Sequence, residues 1–499
     1  MTLTDIRFSD YIKDFEQTLK NLFHVQSDID KLSLERGLPP EILKGIMDQQ
    51  PLSVAIPTEF GGRGSIVKEC LGVLAAASYE SLPLSLTFGI NIALFLEPVS
   101  KYADESVKSG IFQNFLEKGQ MGGLMITEPD YGSDALNMKT TSRALEQGYE
   151  IKGTKHWQGL TGMADYWIIA ARNANENGDL GRDIDFFLCD ITQPKQHIVV
   201  EEVFDNAGLY MIPYGLNKLD LVVPHNFRLK PETTGIKMML DILHRSRMQF
   251  PGMGMGFIKR MLDEAMQHCH TRIVGAGNLM AIDNVQFQIS RIQSAYTICS
   301  AMCAHSSEIS GIQHNLATEG LEANTMKAVV TDLMQESAQL LVQLSGANGY
   351  RTTHIGGRGI MDSRPFQIFE GSNEMLYNQT AEMITRTMKK QKQSNLFDFL
   401  NVFNLTAEAC QHFKKDLSFS LAENLSQRKM VDLGKVLTRV ICVGYVLNLQ
   451  KKGFRKDLVD NCIIMVRQEV AALIASFQFD NSVRAIDDYS ADSSWLNFA

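Results

Sequence analysis

The chain has no long basic tract. Its 48 lysines and arginines are dispersed among 57 acids, leaving a net charge of −9, which argues against a dedicated nucleic-acid surface. No apolar run approaches the roughly 20 uninterrupted residues of a membrane span. The longest candidates, such as Val440 to Leu449, read as core helix. The opening residues, MTLTDIRFSDYIKDFEQ, carry acids early and no apolar core, unlike a secretory or transit peptide. The eight cysteines are scattered and no CxxC pair occurs. Cys299 and Cys303 stand one helical turn apart, and Cys269 sits between His268 and His270, adjacent positions that point apart and chelate poorly. Reduced thiols used as small hydrophobes are therefore expected, with no metal site, in a cytoplasmic setting. A Walker motif, a GxSxG elbow and an HExxH pair are all missing.

What is present suits a soluble chain of several domains. It has 499 residues, 44% of them hydrophobic and 21% charged, enough for two or more cores. Residues 1–120 read as a helical domain, with a glycine-rich turn at Gly61-Gly62-Arg63-Gly64 and a cap signal at Asp104. From 121 to 232 short alternating runs, such as 149–157, 166–171, 185–190 and 218–223, predict a β middle domain. From 233 to 388 the helical period returns as a bundle with a methionine-rich stretch from Met238 to Met266, and residues 395–499 form a C-terminal helical extension behind a polar linker. The fold class is mainly α with a β middle domain. Gly252-Met253-Gly254-Met255-Gly256 lacks the full dinucleotide-loop spacing and reads as a close helix contact, and Gly356-Gly357-Arg358-Gly359 reads as a loop.

Glu370 is the most informative residue. Flanked by Ile368-Phe369 and Gly371, it suggests a carboxylate aimed into an apolar place. Burial there raises a carboxylate's pKa and suits it to act as a base toward a weak carbon acid. The alternative is a helix N-terminus, with the acid favoured by the macrodipole and Gly371 permitting the turn. Upstream, Thr127-Glu128-Pro129-Asp130-Tyr131-Gly132-Ser133-Asp134 follows an apolar strand, a place where hydroxyls and amides can hold a polar ring edge. Gly153-Thr154-Lys155-His156-Trp157-Gln158-Gly159 sets an indole on a strand, where it can lie against a flat cofactor or fill a core.

These segments resemble the signatures of the acyl-CoA dehydrogenase family: T-E-P-x-x-G-S-D, then G-x-K-x-W, then A-D (Ala164-Asp165), then the glutamate motif Phe369-Glu370-Gly371-Ser372-Asn373-Glu374. The resemblance extends from about residue 45 to 388. It implies an N-terminal helical domain, a β-barrel-like middle domain and a C-terminal bundle, binding FAD and an acyl-CoA thioester. Glu370 would be the catalytic base that removes the α-proton while hydride passes to FAD, giving a trans-2-enoyl thioester in the manner of fatty-acid β-oxidation. The enolate oxygen would be held by the base's own backbone amide and by FAD.

The same resemblance assigns FAD contacts to Thr127, Ser133, Trp157, Gln158, Gly159, Gly371, Ser372 and Glu374. It assigns contacts across a subunit interface to Arg272, Gln343 and Gly346, and substrate contacts to Ser133, Arg247 and Gly371. An electron-transfer flavoprotein is the implied electron acceptor, and a homodimer the implied assembly, because the extension resembles that of longer-chain members. The extension shows no strong basic amphipathic face to support a membrane contact.

Two departures stand out. Gly159 occupies a position usually held by threonine, and R-x-x-F-G reads Arg272-Ile273-Val274-Gly275-Ala276. Some members place the base one residue before the helix-opening arginine, where this chain has Ser246. On the same fold, an oxygen-reacting acyl-CoA oxidase, an acyl-carrier-protein-dependent dehydrogenase and a catalytically idle binding protein are the other readings.

Overall fold

Long apolar faces generate the first helices, and Ser81 and Asp104 cap two of them. The computed structural model describes residues 6–479 and 483–498. In the N-terminal domain these include α1 (Phe8–Asn21), α2 (Val67–Glu80), α3 (Leu82–Asn91), α4 (Glu97–Tyr102) and α5 (Glu105–Lys118). Asp104 caps α5 by accepting from the Ser106 amide. The stretch Leu82–Tyr102 runs on as one helix through a π-turn at Ile92–Leu96. Contrary to the expectation from the sequence, this segment is by length and composition long and apolar enough to cross a membrane, since residues 82–96 carry no charge, and 94% of its most apolar window is buried inside the protein.

That burial includes a carboxylate. Glu97 is 1% exposed and accepts a hydrogen bond from Gln249 Nε2 at 2.8 Å. Burial pushes its pKa from 4.5 up to about 7, against the Arg245 charge and the Gln249 bond. A raised carboxyl makes its contribution below the unfolded value and loses it as pH rises through the folded one. Stability should therefore decline between pH 4.5 and about 7, by about 3 kcal/mol from this group. Glu97→Gln keeps the amide contact without the charge. Its thermal unfolding temperature should exceed the parent's at pH 8 and match it at pH 4, and an equal gain at both would contradict this cause.

The β middle domain is built on the pairing of β3 (Gly148–Gly159) with β7 (Tyr214–Val223), after β1 (Gly122–Met125) and β2 (Thr141–Leu145). With β4 (Tyr166–Asn173), β5 (Asp185–Asp190) and β6 (Val199–Val203), the sheet order is β1-β4-β2-β3-β7-β6, and β5 pairs on β4. The β1–β4 pair is parallel and β3–β7 antiparallel. The β3–β7 register breaks between His156 and Gln158. One residue is extra there, so Trp157 bulges out with φ +61°.

The bundle comprises α6 (Gly235–Thr271), α7 (Asp283–Ile309), α8 (Gly320–Ser345) and α9 (Asn373–Lys390). The glycines of α6 permit its close packing on α2. A Cβ at Gly256 would stand 1.9 Å from the Ala75 carbonyl oxygen, and one at Gly252 would stand 2.9 Å from that of Leu71. The glycine run 356–359, expected as a loop, instead lies inside the helix Ile355–Ser363. Close packing outweighs the helix penalty of glycine there: a Cβ at Gly359 would press on the Phe257 ring at 3.0 Å, and one at Gly357 on the Arg351 carbonyl oxygen at 2.6 Å. Met238, Met239, Met248, Met253 and Met261 are buried core. The C-terminal helices α10 (Gln427–Lys451) and α11 (Lys456–Gln478) pack on α7, and α10 also packs on α9. Residues 436–447 of α10 are buried on every side, which sets them in a core shared with the bundle.

Candidate active site

The turn before α9 brings the central residues together. Glu370 has φ +53°, a left-handed conformation uncommon for a residue with a side chain, and Gly371 follows at φ +93°. A side chain at Gly371 would meet Met375, Leu376 and Arg247 Nη2 at 2.8, 3.1 and 3.2 Å, so only glycine fits. Ser372 caps α9 by accepting from the Met375 amide.

Two buried cations hold the consecutive carbonyls of this turn. Arg247 donates to the Glu370 carbonyl oxygen through Nε (3.1 Å) and Nη2 (2.7 Å), and its Nη1 donates to Asn324 Oδ1 (2.8 Å). Lys327 Nζ donates to the Gly371 carbonyl oxygen (2.7 Å) and to Asn373 Oδ1 (3.0 Å). Ser246 Oγ donates to Glu370 Oε1 at 2.9 Å. The other oxygen, Oε2, is buried and has no hydrogen-bond partner among the described residues. Nor does the Glu370 backbone N–H have one.

Electrostatics follow from this enclosure. Burial raises the Glu370 carboxyl above its ordinary value, while Arg247, the Ser246 bond and Lys327 pull it back. Burial also pushes Lys327 down to about 7, against the attraction of Glu370. The arrangement is a carboxylate with one satisfied oxygen, one buried and unpartnered oxygen, and two cations beside it. Such an arrangement has the chemistry to accept a proton at Oε2.

The strand side supplies an exposed indole and a buried amide. Trp157 is 51% exposed and leans on Phe204 with ring centroids 4.6 Å apart. Gln158 Nε2 donates to the Thr127 carbonyl oxygen (3.2 Å), as does the His156 amide (2.9 Å), and the Gln158 Oε1 atom is buried without a partner. Gly159 is paired with Tyr214, whose ring would lie 3.3 Å from a Cβ at 159, and Ile90 would lie 2.9 Å from it. Tyr214 also joins the two halves of the site. Its phenol is pushed up by burial and by the charge of Glu370.

The other residues of the T-E-P and G-x-K motifs staple the scaffold. Glu128 accepts from Lys155 Nζ (3.0 Å) and from the amides of Lys139 (2.6 Å) and Thr140 (2.8 Å). Burial pushes Glu128 up, but Lys155 and those amides outweigh it and leave it below the usual range. Burial takes Lys155 down to about 8.

Thr127, Trp157, Gln158 and Gly159 are thus gathered on one side, and Glu370, Gly371, Ser372 and Arg247 on the other. Arg247, expected to touch substrate, is spent on the Glu370 carbonyl and Asn324. Ser133 and Glu374 are exposed. Arg272, Gln343 and Gly346 also lie on exposed surface, with no hydrogen bond to the Glu370 cluster among the described residues. Sequence reasoning missed Lys327, Asn324 and Tyr214, and took Ser246 only as a missing carboxylate. Lys327 left one faint signal, a single lysine in the apolar run Met326-Lys327-Ala328-Val329-Val330. Among the described residues no group of three or more His, Cys, Asp or Glu is placed to hold a metal ion.

Known proteins share this architecture. The middle-domain family model of acyl-CoA dehydrogenase matches residues 123–220 and the C-terminal-domain model matches 233–385. The chain belongs to the acyl-CoA dehydrogenase family. It is 23% identical over 343 residues to an acyl-CoA dehydrogenase of Bacillus subtilis, covering 68% of this chain and 87% of that protein. It is 24% identical over 392 residues to a short-chain specific acyl-CoA dehydrogenase of Megasphaera elsdenii, covering 73% and 99%. A crystal structure of an acyl-CoA dehydrogenase complexed with FAD from Bacillus anthracis superposes with a TM-score of 0.75 at 17% identity, covering 100% of this chain and 92% of that one. That likeness therefore includes the fold of the C-terminal helices.

Proposed function

We propose that this protein oxidises an acyl-CoA thioester at the α,β bond, with FAD as cofactor and Glu370 as the base. The observation that carries the proposal is the enclosed, unpartnered Oε2 of Glu370, beside a Ser246-held Oε1. The residues present fit FAD: an exposed indole at Trp157, an orphaned buried acceptor at Gln158 Oε1, and a Cβ-free position at Gly159 on one strand. Trp157, Gln158, Gly159 and Thr127 would hold the cofactor, which when bound supplies a two-electron acceptor for a hydride from the β-carbon.

The chain's own residues do the rest. Glu370 Oε2 removes the α-proton, and Ser246 keeps Oε1 turned away so that Oε2 alone faces the substrate. The free Glu370 N–H is suited to donate to the thioester oxygen as negative charge develops there. Arg247 and Lys327 keep the turn in its left-handed form and add positive potential. The product is a trans-2-enoyl thioester. Electrons would leave through an electron-transfer flavoprotein, and the assembly would be a homodimer.

Gly159 supports a second reading, an acyl-CoA oxidase, because this position carries no side chain to hydrogen-bond a cofactor, and Ile90 and Tyr214 leave little room for one. The deciding experiment reconstitutes the protein with FAD and mixes it anaerobically with butanoyl-, octanoyl- and hexadecanoyl-CoA. Bleaching of flavin absorbance by at least one of them is the expected result. Failure to retain FAD, or no bleaching by any thioester, contradicts the proposal. Steady hydrogen peroxide production under air would favour the oxidase.

A further inference from the structure

α10 approaches α9 so closely at Gly434 that a Cβ there would stand 2.0 Å from the Tyr377 carbonyl oxygen. At this contact a polar path begins. Arg439 of α10 donates through Nε to Glu469 Oε1 of α11 (2.8 Å) and through Nη1 to the Tyr377 hydroxyl (3.2 Å). That hydroxyl donates to Asp332 Oδ2 at 2.6 Å. The other oxygen of Asp332 accepts from Gln367 Nε2 and from Asn373 Nδ2, each at 2.7 Å. Gln367 and Asn373 lie immediately before and after the Glu370 turn, so one carboxylate pins both of its ends. Asn373 Oδ1 then accepts from Lys327, which holds the Gly371 carbonyl.

Arg439, Tyr377, Asn373 and Lys327 are all buried. A helix that merely covered a surface would bury apolar side chains there, because desolvating a guanidinium costs several kcal/mol before its partners repay it. A fully partnered polar path instead selects one relative position of the elements it joins. Asp332 sits on α8 and Tyr377 on α9, so Arg439 fixes the joint between the two helices that flank the turn.

We propose that the C-terminal helical pair is a working part of the active site, with Arg439 and Tyr377 as positioning residues that set the Glu370 turn through Asp332 and Asn373. This rests on Glu370 being the base. A shift at Tyr377 releases the two ends of the turn together, lets water reach Glu370, and lessens the burial that raises its carboxyl.

The test uses the full-length FAD-loaded protein and Tyr377→Phe, which keeps the ring and the Gly434 contact. Infrared titration reads the Glu370 carboxyl band, assigned by its absence in Glu370→Gln. Anaerobic flavin reduction by butanoyl-, octanoyl- and hexadecanoyl-CoA gives the rate and the half-saturating concentration. Tyr377→Phe should lower the limiting rate about tenfold, leave half-saturation within about twofold, and move the carboxyl midpoint down. Arg439→Lys, which retains the cation, should give an intermediate rate, and Arg439→Met one as low as that of Tyr377→Phe. A folded Tyr377→Phe protein with the parent's rate and midpoint overturns the proposal, as does a variant that only melts earlier. If Glu370→Gln reduces flavin at the parent's rate, it is the assignment of the base that fails, whatever Tyr377→Phe does.

Discussion

Glu370→Gln is expected to fold, to retain FAD and to bind thioester, yet to reduce flavin about 10⁴-fold more slowly than the parent. Glutamine is nearly isosteric with the carboxylate and can still accept the Ser246 hydrogen bond at Oε1. What it cannot do is take a proton at the position of Oε2, the one oxygen left unpartnered. The change should therefore appear in the limiting rate of anaerobic bleaching, with half-saturation little altered. In the parent the rate should climb with pH about a midpoint above the ordinary 4.5, since burial raises this carboxyl more than Arg247, Ser246 and Lys327 lower it. A midpoint at or below 4.5 would mean that water reaches Oε2 freely.

The second large effect is expected at Arg247. A glutamate held in left-handed backbone costs about 1–3 kcal/mol, which surrounding contacts must offset. Two of the offsetting bonds are the Arg247 donations to the Glu370 carbonyl at 3.1 and 2.7 Å. Arg247→Lys preserves the charge but not the paired geometry, because an ammonium is a point donor and a guanidinium a planar fork. The turn should relax, and misplacement by about 1 Å costs about 10²-fold in rate. Stopped-flow reduction should show the loss in the limiting rate, with thioester affinity largely kept. A variant within about twofold of the parent would remove Arg247 from this role.

Some of this site was visible in the sequence. The ordered signatures marked Glu370, where local chemistry alone favoured a helix N-terminus, and the Trp157-Gln158-Gly159 strand could be read in order because each signature is continuous in the chain. The succession of helix, strand and helix was readable from periodicity, and the tight spacing at Gly252 and Gly256 from the glycines themselves. The clamp was not. Lys327 reaches Gly371 across 44 positions, and a lone lysine in an apolar helix looks the same whether it meets solvent or a carbonyl. Ser246 looked like the absence of an acid, although its hydroxyl holds Oε1. The glycine run at 356–359 suggested a loop because glycine's helix penalty is local, whereas the packing against Phe257 that overrides it is not. Arg439 and Tyr377 sit 62 positions apart, and only packing brings them together.

Proton removal can be separated from oxidation with acetyl-CoA, which has an α-carbon but no β-carbon and so no hydride to give. The decisive measurement incubates it with the FAD-loaded protein in deuterium oxide and follows deuterium entering the acetyl group by mass spectrometry. The expected result is incorporation by the parent, rising with pH, and none above background by Glu370→Gln. Incorporation by Glu370→Gln at the parent's rate would contradict the assignment of Glu370 as the base.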